Sequence, residues 1–190
     1  FNTIIIDEAH HLEEKVRSAT TTQCWQRQII KTIYAAEKAI WPTERQYVAG
    51  KISSTVHDIK ALYRHLSDQM QQQIDGADRT VRDSERLFLR EHVHTAALVQ
   101  KASQSLVELS DSIQIYADMS RRNRNRAAID DLAILVDSFY VLASSWDEQL
   151  VWLERRGPYT QLTWCPKDTS TIINNLFFSA SIQTLSLIHI

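Results

Sequence analysis

Ile4-Ile5-Ile6-Asp7-Glu8-Ala9-His10-His11-Leu12 is the stretch on which the reading of this chain turns. Residues Phe1 to Ile6 form a short run rich in β-branched side chains, and it stops abruptly in charge at Asp7. A continuous apolar run of this kind is how a buried parallel strand looks when it delivers carboxylates at its C-terminal end.

From about Leu12 to Arg155 the apolar residues recur instead at helical spacing. Breaks at Trp41-Pro42-Thr43, at Asp75-Gly76-Ala77-Asp78 and over Arg121 to Arg126 read as helix ends. Ile52, Val56, Ile59, Leu62, Leu66 and Met70 mark one stripe; Leu106, Leu109, Ile113 and Tyr116 mark a second. The most regular runs through Ile129, Leu132, Val136, Phe139, Ala143, Trp146, Leu150 and Leu153 in steps of three and four, which predicts a single helical seam packing at a shallow angle. A second change of character comes at Arg156-Gly157-Pro158. Beyond it, Gln161 to Cys165 reads as a strand, Asp168-Thr169-Ser170 as the opening of a short helix through Leu176, and the remaining apolar residues as a strand again. The expected fold is therefore mostly α, a long-helix insertion flanked by short pieces of a truncated α/β domain.

Composition agrees with this and excludes several classes. The chain has 190 residues, 44% hydrophobic and 23% charged, with only three Gly and three Pro. Such scarcity of turn formers rules out a turn-rich sandwich, a collagenous segment or a Pro-rich linker. A formal net charge of -2 means that any contact with nucleic acid has to come from local clusters. Two cysteines, Cys24 and Cys165, cannot build a disulfide framework and fit a reducing compartment, where they read as packing residues. No run approaches the ~18 apolar residues that span a bilayer, so no membrane partner is expected. With Phe1 first and no charged leader behind it, the chain reads as starting in mid-protein.

Asp7-Glu8-Ala9-His10 directly after a β-branched strand is the Walker B context of nucleic-acid motors. The chemistry explains the residue types. A nucleotide-bound magnesium needs a hard oxygen ligand, which Asp7 supplies from the strand end, usually through water. Glu8 can orient and deprotonate the water that attacks the γ-phosphate. His10 is then the residue that couples nucleotide state to a neighbouring segment.

At these residues the chain resembles the DinG-like helicases, relatives of XPD in helicase superfamily 2. In that family the Asp-Glu-Ala-His motif is followed by a long helical insertion, the arch domain, before the chain returns to the first RecA-like motor domain. The resemblance implies that residues 1-11 end a motor-domain strand, 12-156 form the arch, 157-184 return to the motor domain and 185-190 are a non-native or frayed tail. Trp164 to Leu176 looks like the family's return segment, and Ser179-Ala180-Ser181-Ile182 is a degenerate, early match to its Thr-Ser-Ala-Thr-Leu motif. It further implies a parent enzyme that couples hydrolysis of ATP with Mg2+ to 5′ to 3′ translocation on single-stranded or forked DNA and its unwinding, in DNA repair. A 4Fe-4S cluster is expected in the parent, on cysteines upstream of this chain, and the location implied is the bacterial cytoplasm at the nucleoid. The remainder of the helicase chain is the implied partner.

A Walker A loop is not in the sequence. Gly50-Lys51-Ile52-Ser53 lacks the first glycine and the adjacent hydroxyl and lies in a helical stretch. The piece alone is therefore expected to be inactive. Arg79, Arg82, Arg86 and Arg90, three and four apart, predict four guanidiniums on one helical face; Asp78, Asp83, Glu85 and Glu91 interleave with them, so a solvated, salt-bridged face stands beside a phosphate-binding one. Arg121, Arg122, Arg124 and Arg126 form a second cluster with fewer acids nearby and lean toward DNA or partner contact. The five tryptophans can stack bases, but Trp146 lies on the most regular seam and most read as core.

Two readings from other classes compete. Glu8-x-x-His11 and Glu91-x-x-His94 have the spacing of a ferritin-like di-iron bundle, although Glu8 follows a strand end, where that site needs a helix. A helical DNA- or protein-interaction module without catalysis is the other.

Overall fold

The computed structural model describes residues 3–7, 11–76, 86–89, 93–117, 125–177 and 183–187, with 3–7, 156, 176–177 and 183–187 described by backbone alone. The fold is mostly helical with a small four-stranded antiparallel sheet. Strand β1 (Thr3–Asp7) leads into α1 (Leu12–Thr20). Three consecutive threonines end that helix: the Thr20 and Thr21 hydroxyls donate back to the Val16 and Arg17 carbonyls at 2.9 and 2.7 Å. Such back-bonding satisfies the last carbonyls and lets the chain go extended. It continues as β2 (Thr22–Trp25), α2 (Gln26–Glu37) and α3 (Arg45–Gly76). The 32 residues of α3 run unbroken from Trp41-Pro42-Thr43 to Gly76, the two interruptions visible in the sequence.

After β3 (Arg86–Phe88) come α4 (Val93–Tyr116) and α5 (Arg126–Ser144). Helices α3 and α4 are antiparallel, since Thr55 meets Ser105, Asp58 meets Lys101 and His65 meets Thr95. Their stripes face each other: Ile59, Leu62, Leu66, Leu106 and Leu109 are fully buried, joined by Leu132, Phe139 and Leu142 of α5. Apolar side chains repeating every three or four residues on three neighbouring helices have no other way to leave water together.

The third seam departs from expectation. It is helical only to Ser144; Trp146 lies in a 3-10 turn (Trp146–Glu148), and Leu150 and Leu153 belong to strand β4 (Gln149–Arg156). Ser144 and Ser145 donate to the carbonyls of Tyr140 and Val141 at 2.8 and 2.7 Å and close the helix. Past them the relevant period is two. Val151 and Leu153 are buried while Leu150 and Trp152, alternating with them, are half-buried, so the three-residue step from Leu150 to Leu153 was not a helical signal. The expected helical stretch 12-156 thus also holds three strands, β2, β3 and β4, of which β2 and β4 pair with the return segment itself and β3 pairs with β4.

That return segment is β5 (Tyr159–Pro166), which pairs with β4 along its whole length and with β2 on its other side, giving the order β2-β5-β4-β3. Arg156 pairs with Tyr159 across a two-residue loop. Gly157 takes φ 62 there, followed by Pro158, the arrangement a type II′ hairpin turn requires. Phe139 of α5 meets Trp164 of β5 edge-on at 5.9 Å, fixing helices and sheet together.

Asp168 then caps α6 (Ser170–Phe177), accepting from the Ser170 amide at 2.8 Å, as its position before the helix predicted. The last strand, β6 (Gln183–Leu187), lies parallel to β1, with Thr3 opposite Gln183 and Asp7 opposite Leu187. A frayed tail over 185-190 is not what residues 185–187 form: they complete this pairing, and 188–190 lie outside the described residues.

Candidate functional site

Asp7 is the final residue of β1, in a parallel pair with β6, and everything between residues 8 and 182 is inserted between these two neighbouring strands. Glu8 and His10 lie outside the described residues. So do Ser179 and Ser181 of the degenerate match to the Thr-Ser-Ala-Thr-Leu motif.

The helix that follows Asp7 is anchored to the far end of the chain. Arg17 on α1 donates from Nη1 to the Pro166 carbonyl at 3.1 Å and from Nη2 to the Lys167 carbonyl at 3.3 Å, while Glu13 holds Nη2 at 2.9 Å. Its hydrogen bonds to Glu13 and then to the Cys165 sulfur raise the guanidinium's already high pKa. Two donor edges committed to backbone carbonyls make Arg17 a fixed link between the motif's helix and the end of β5. No sequence periodicity marks such a contact.

Of the two arginine rows, Arg86 and Arg126 lie among the described residues. Arg86 does not share a helical face with Arg79, Arg82 and Arg90: it starts strand β3, directly opposite Glu154 of β4. Its Nε lies 3.0 Å from Glu154 Oε1, which also accepts from Trp152 Nε1 at 2.8 Å. The guanidinium therefore serves a buried carboxylate, which is costly to leave without a charged partner. Arg79, Arg82 and Arg90 lie outside the described residues, as do Arg121, Arg122 and Arg124. Arg126 opens α5 and is exposed, 3.7 Å from Asp130 one turn on. Of the tryptophans, Trp164 is buried in the core and Trp146 packs against it, whereas Trp41 is exposed and Trp25 half-buried.

Cys24 and Cys165 are both buried free thiols. Burial pushes the Cys24 thiol up to about 12, far from a reactive thiolate. Among the described residues no group of three or more His, Cys, Asp and Glu side chains is placed to hold a metal. His94 instead meets the ring of His65 edge-on at 4.8 Å, and His11 lies 3.6 Å from Glu14. Glu91 lies outside the described residues. Nor is any described helix long and apolar enough to cross a membrane.

A feature that motif reading missed lies at the tip of the β4–β5 hairpin. There the start of α2, the middle of α3 and the hairpin enclose an open groove of about 810 Å³ whose lining includes Trp25, Arg27, Lys31, Lys60, Tyr63 and Tyr159. Its cations come from three separate turns of two helices. The signal was present only as Arg27 and Lys31, four apart on an otherwise acid-poor α2.

Compared with known proteins, the chain matches no family model and no curated protein.

Proposed function

We propose that this chain is the Walker B and arch portion of an ATP-dependent DNA helicase of the DinG-like kind. The supporting observation is the position of Asp7 at the carboxyl end of a strand in a parallel pair, with the whole helical body inserted between the two paired strands. In open α/β sheets ligands gather beyond the carboxyl ends of the strands, so this is the end at which nucleotide phosphates are handled.

A single carboxylate there fits the way magnesium binds, through one or two carboxylates with phosphates and water completing the shell. Asp7 would hold the ion, which supplies neutralising charge to the phosphates. Glu8 would orient the attacking water and accept its proton. His10, three residues after Asp7 in the sequence, would report the nucleotide's state to the body through α1, which Arg17 fastens to β5. An iron–sulfur cluster needs four thiolates, and the two buried cysteines here do not furnish them, so any 4Fe-4S site belongs to another part of the parent. Such an enzyme works on chromosomal DNA, which places it in the bacterial cytoplasm at the nucleoid.

The test is DNA-stimulated ATP turnover of the enzyme carrying both motor domains. Glu8→Gln keeps volume and polarity but removes the base, so ATP binding persists while turnover falls about 100-fold or more. Near-normal turnover overturns the assignment.

A further inference from the structure

The chain passes between the β1–β6 pair and the body twice, and the two crossings lie side by side. On the way out, α1 ends at Thr20 and the body begins at Thr22, which pairs with Trp164 of β5. On the way back, β5 ends at Pro166 and α6 opens at Ser170. A displacement of the body reaches the Asp7 end through this neck.

Arg17 holds the two crossings together. From the outgoing helix its guanidinium reaches the carbonyls of Pro166 and Lys167 on the returning segment, 3.1 and 3.3 Å away. Lys167 carries the connection onward: its amide donates to the Glu148 carbonyl at 2.9 Å and its Nζ to the Asp147 carbonyl at 2.7 Å, both in the 3-10 turn that follows α5. Cys165 and Pro166 are also paired with Leu150 and Gln149 of β4. A line of polar contacts thus runs from α1 through 166–167 to the end of the helix whose Phe139 and Leu142 sit in the core.

The chemistry of this clasp suits a movable joint. Arg17 is one-third exposed, and its bonds to carbonyls exchange for bonds to water at small net cost, so they can be released and remade as the two parts shift. The planar guanidinium spans two carbonyls in a fixed geometry while it is engaged. Helix α1 starts five residues after Asp7 and buries Val16, so it stays in place as a helix whatever is done at its far end.

We infer that Arg17 is the positioning residue that couples the body to the nucleotide end. The inference rests on the helicase reading above and gives Arg17 no contact with nucleotide or DNA. With the clasp engaged, a shift of the body on bound DNA moves α1 and so acts on the Asp7 end. Without it, hydrolysis proceeds but no longer responds to DNA.

The experiment is steady-state ATP turnover of the enzyme with both motor domains, with and without an oligothymidylate strand. Arg17→Ala should leave turnover without DNA and the KM for ATP unchanged, and lower the stimulation by DNA about 5-fold or more, the low end of coupling between linked sites. Glu13→Gln keeps an acceptor for Nη2 and both carbonyl bonds, and should retain the stimulation. Asp58→Asn breaks the pair with Lys101 inside the body, away from the neck, as a control for lost stability, and should retain it too. Helical circular dichroism and urea unfolding check that each variant is folded. Normal stimulation in Arg17→Ala, an equal loss in Arg17→Ala and either control, a loss of turnover without DNA in Arg17→Ala, or turnover of the unsubstituted enzyme that DNA does not stimulate overturns the inference. No ATP turnover by the unsubstituted enzyme overturns the helicase reading and the inference with it.

Discussion

Arg17 reaches the Pro166 carbonyl at 3.1 Å, so the first helix after the motif is fastened to a strand end 149 residues away in the chain. Replacing it with alanine removes this bond, the weaker one to Lys167 and the pair with Glu13. The side chain is one-third exposed, so water compensates part of the loss. Arg17→Ala should destabilise the chain by about 1 kcal/mol, and Glu13→Gln by much less. Urea unfolding of the two variants measures the difference.

The pH dependence of stability should carry a contribution from Asp58. Burial pushes its carboxyl up, but Lys101 Nζ at 2.8 Å and the Ser105 hydroxyl at 2.6 Å outweigh this, with His57 adding to them, and hold it below the ordinary carboxylate range. The folded chain therefore releases this proton more readily than the unfolded one. The resulting stability is complete above the unfolded value near ~4 and is lost as pH falls through the depressed folded value. Thermal melts at pH 7 and pH 3 should differ less for Asp58→Asn than for the unsubstituted chain.

The strand assignment of β4 predicts unequal costs at two leucines that a helical seam would treat alike. Leu153 is fully buried and Leu150 is not, so Leu153→Ala should cost about 2–5 kcal/mol and Leu150→Ala clearly less. At the turn, Gly157→Ala should cost about 1 kcal/mol, since φ 62 is a strained conformation for a residue with a Cβ. Chemical denaturation of the three variants decides whether the strand or the seam describes this segment.

Arg86 and Arg126 should also separate. Arg86→Leu leaves the buried Glu154 carboxylate without its guanidinium and should cost about 1 kcal/mol, given how exposed the arginine is. Arg126→Leu removes a long contact on an exposed helix start and should leave stability nearly unchanged. The ranking reverses if the two arginines belong to equivalent surface rows.

On the proposed helicase reading, Asp7→Asn in the enzyme with both motor domains should weaken magnesium-dependent nucleotide use, because the amide carries no charge for the ion. Raising the magnesium concentration should recover part of the loss. Magnesium titrations of ATP turnover identical to those of the unsubstituted enzyme would remove Asp7 from the site.

The long helices were legible because burial of one face imposes a period on the sequence, and the stripes of α3 and α4 are the buried residues of the fold. Asp168 before α6 was legible because capping is local chemistry. The sheet was legible only at β5. Strand β3 is three residues long and too short to carry a period, which is why Arg86 counted as helical. Strand β4 continued the α5 spacing by coincidence at Leu150 and Leu153. Of the basic groove only Arg27 and Lys31 on α2 left a trace, since its other cation and its rings come from elements that meet only after folding.

The adjacency of β1 and β6 bears finally on the order in which the molecule assembles. These two strands cannot pair until residues 8–182 have been drawn into a closed loop. Loop-closure entropy grows with the logarithm of loop length, and contacts this distant in sequence form slowly from an extended chain. The body, whose α3 and α4 form an antiparallel pair close in sequence, separated by residues 77–92, can collapse first and bring its two ends together. Pairing of the outer strands then becomes a short-range event. The strand pair that ends in Asp7 is thus completed last, and damage inside the body delays its formation.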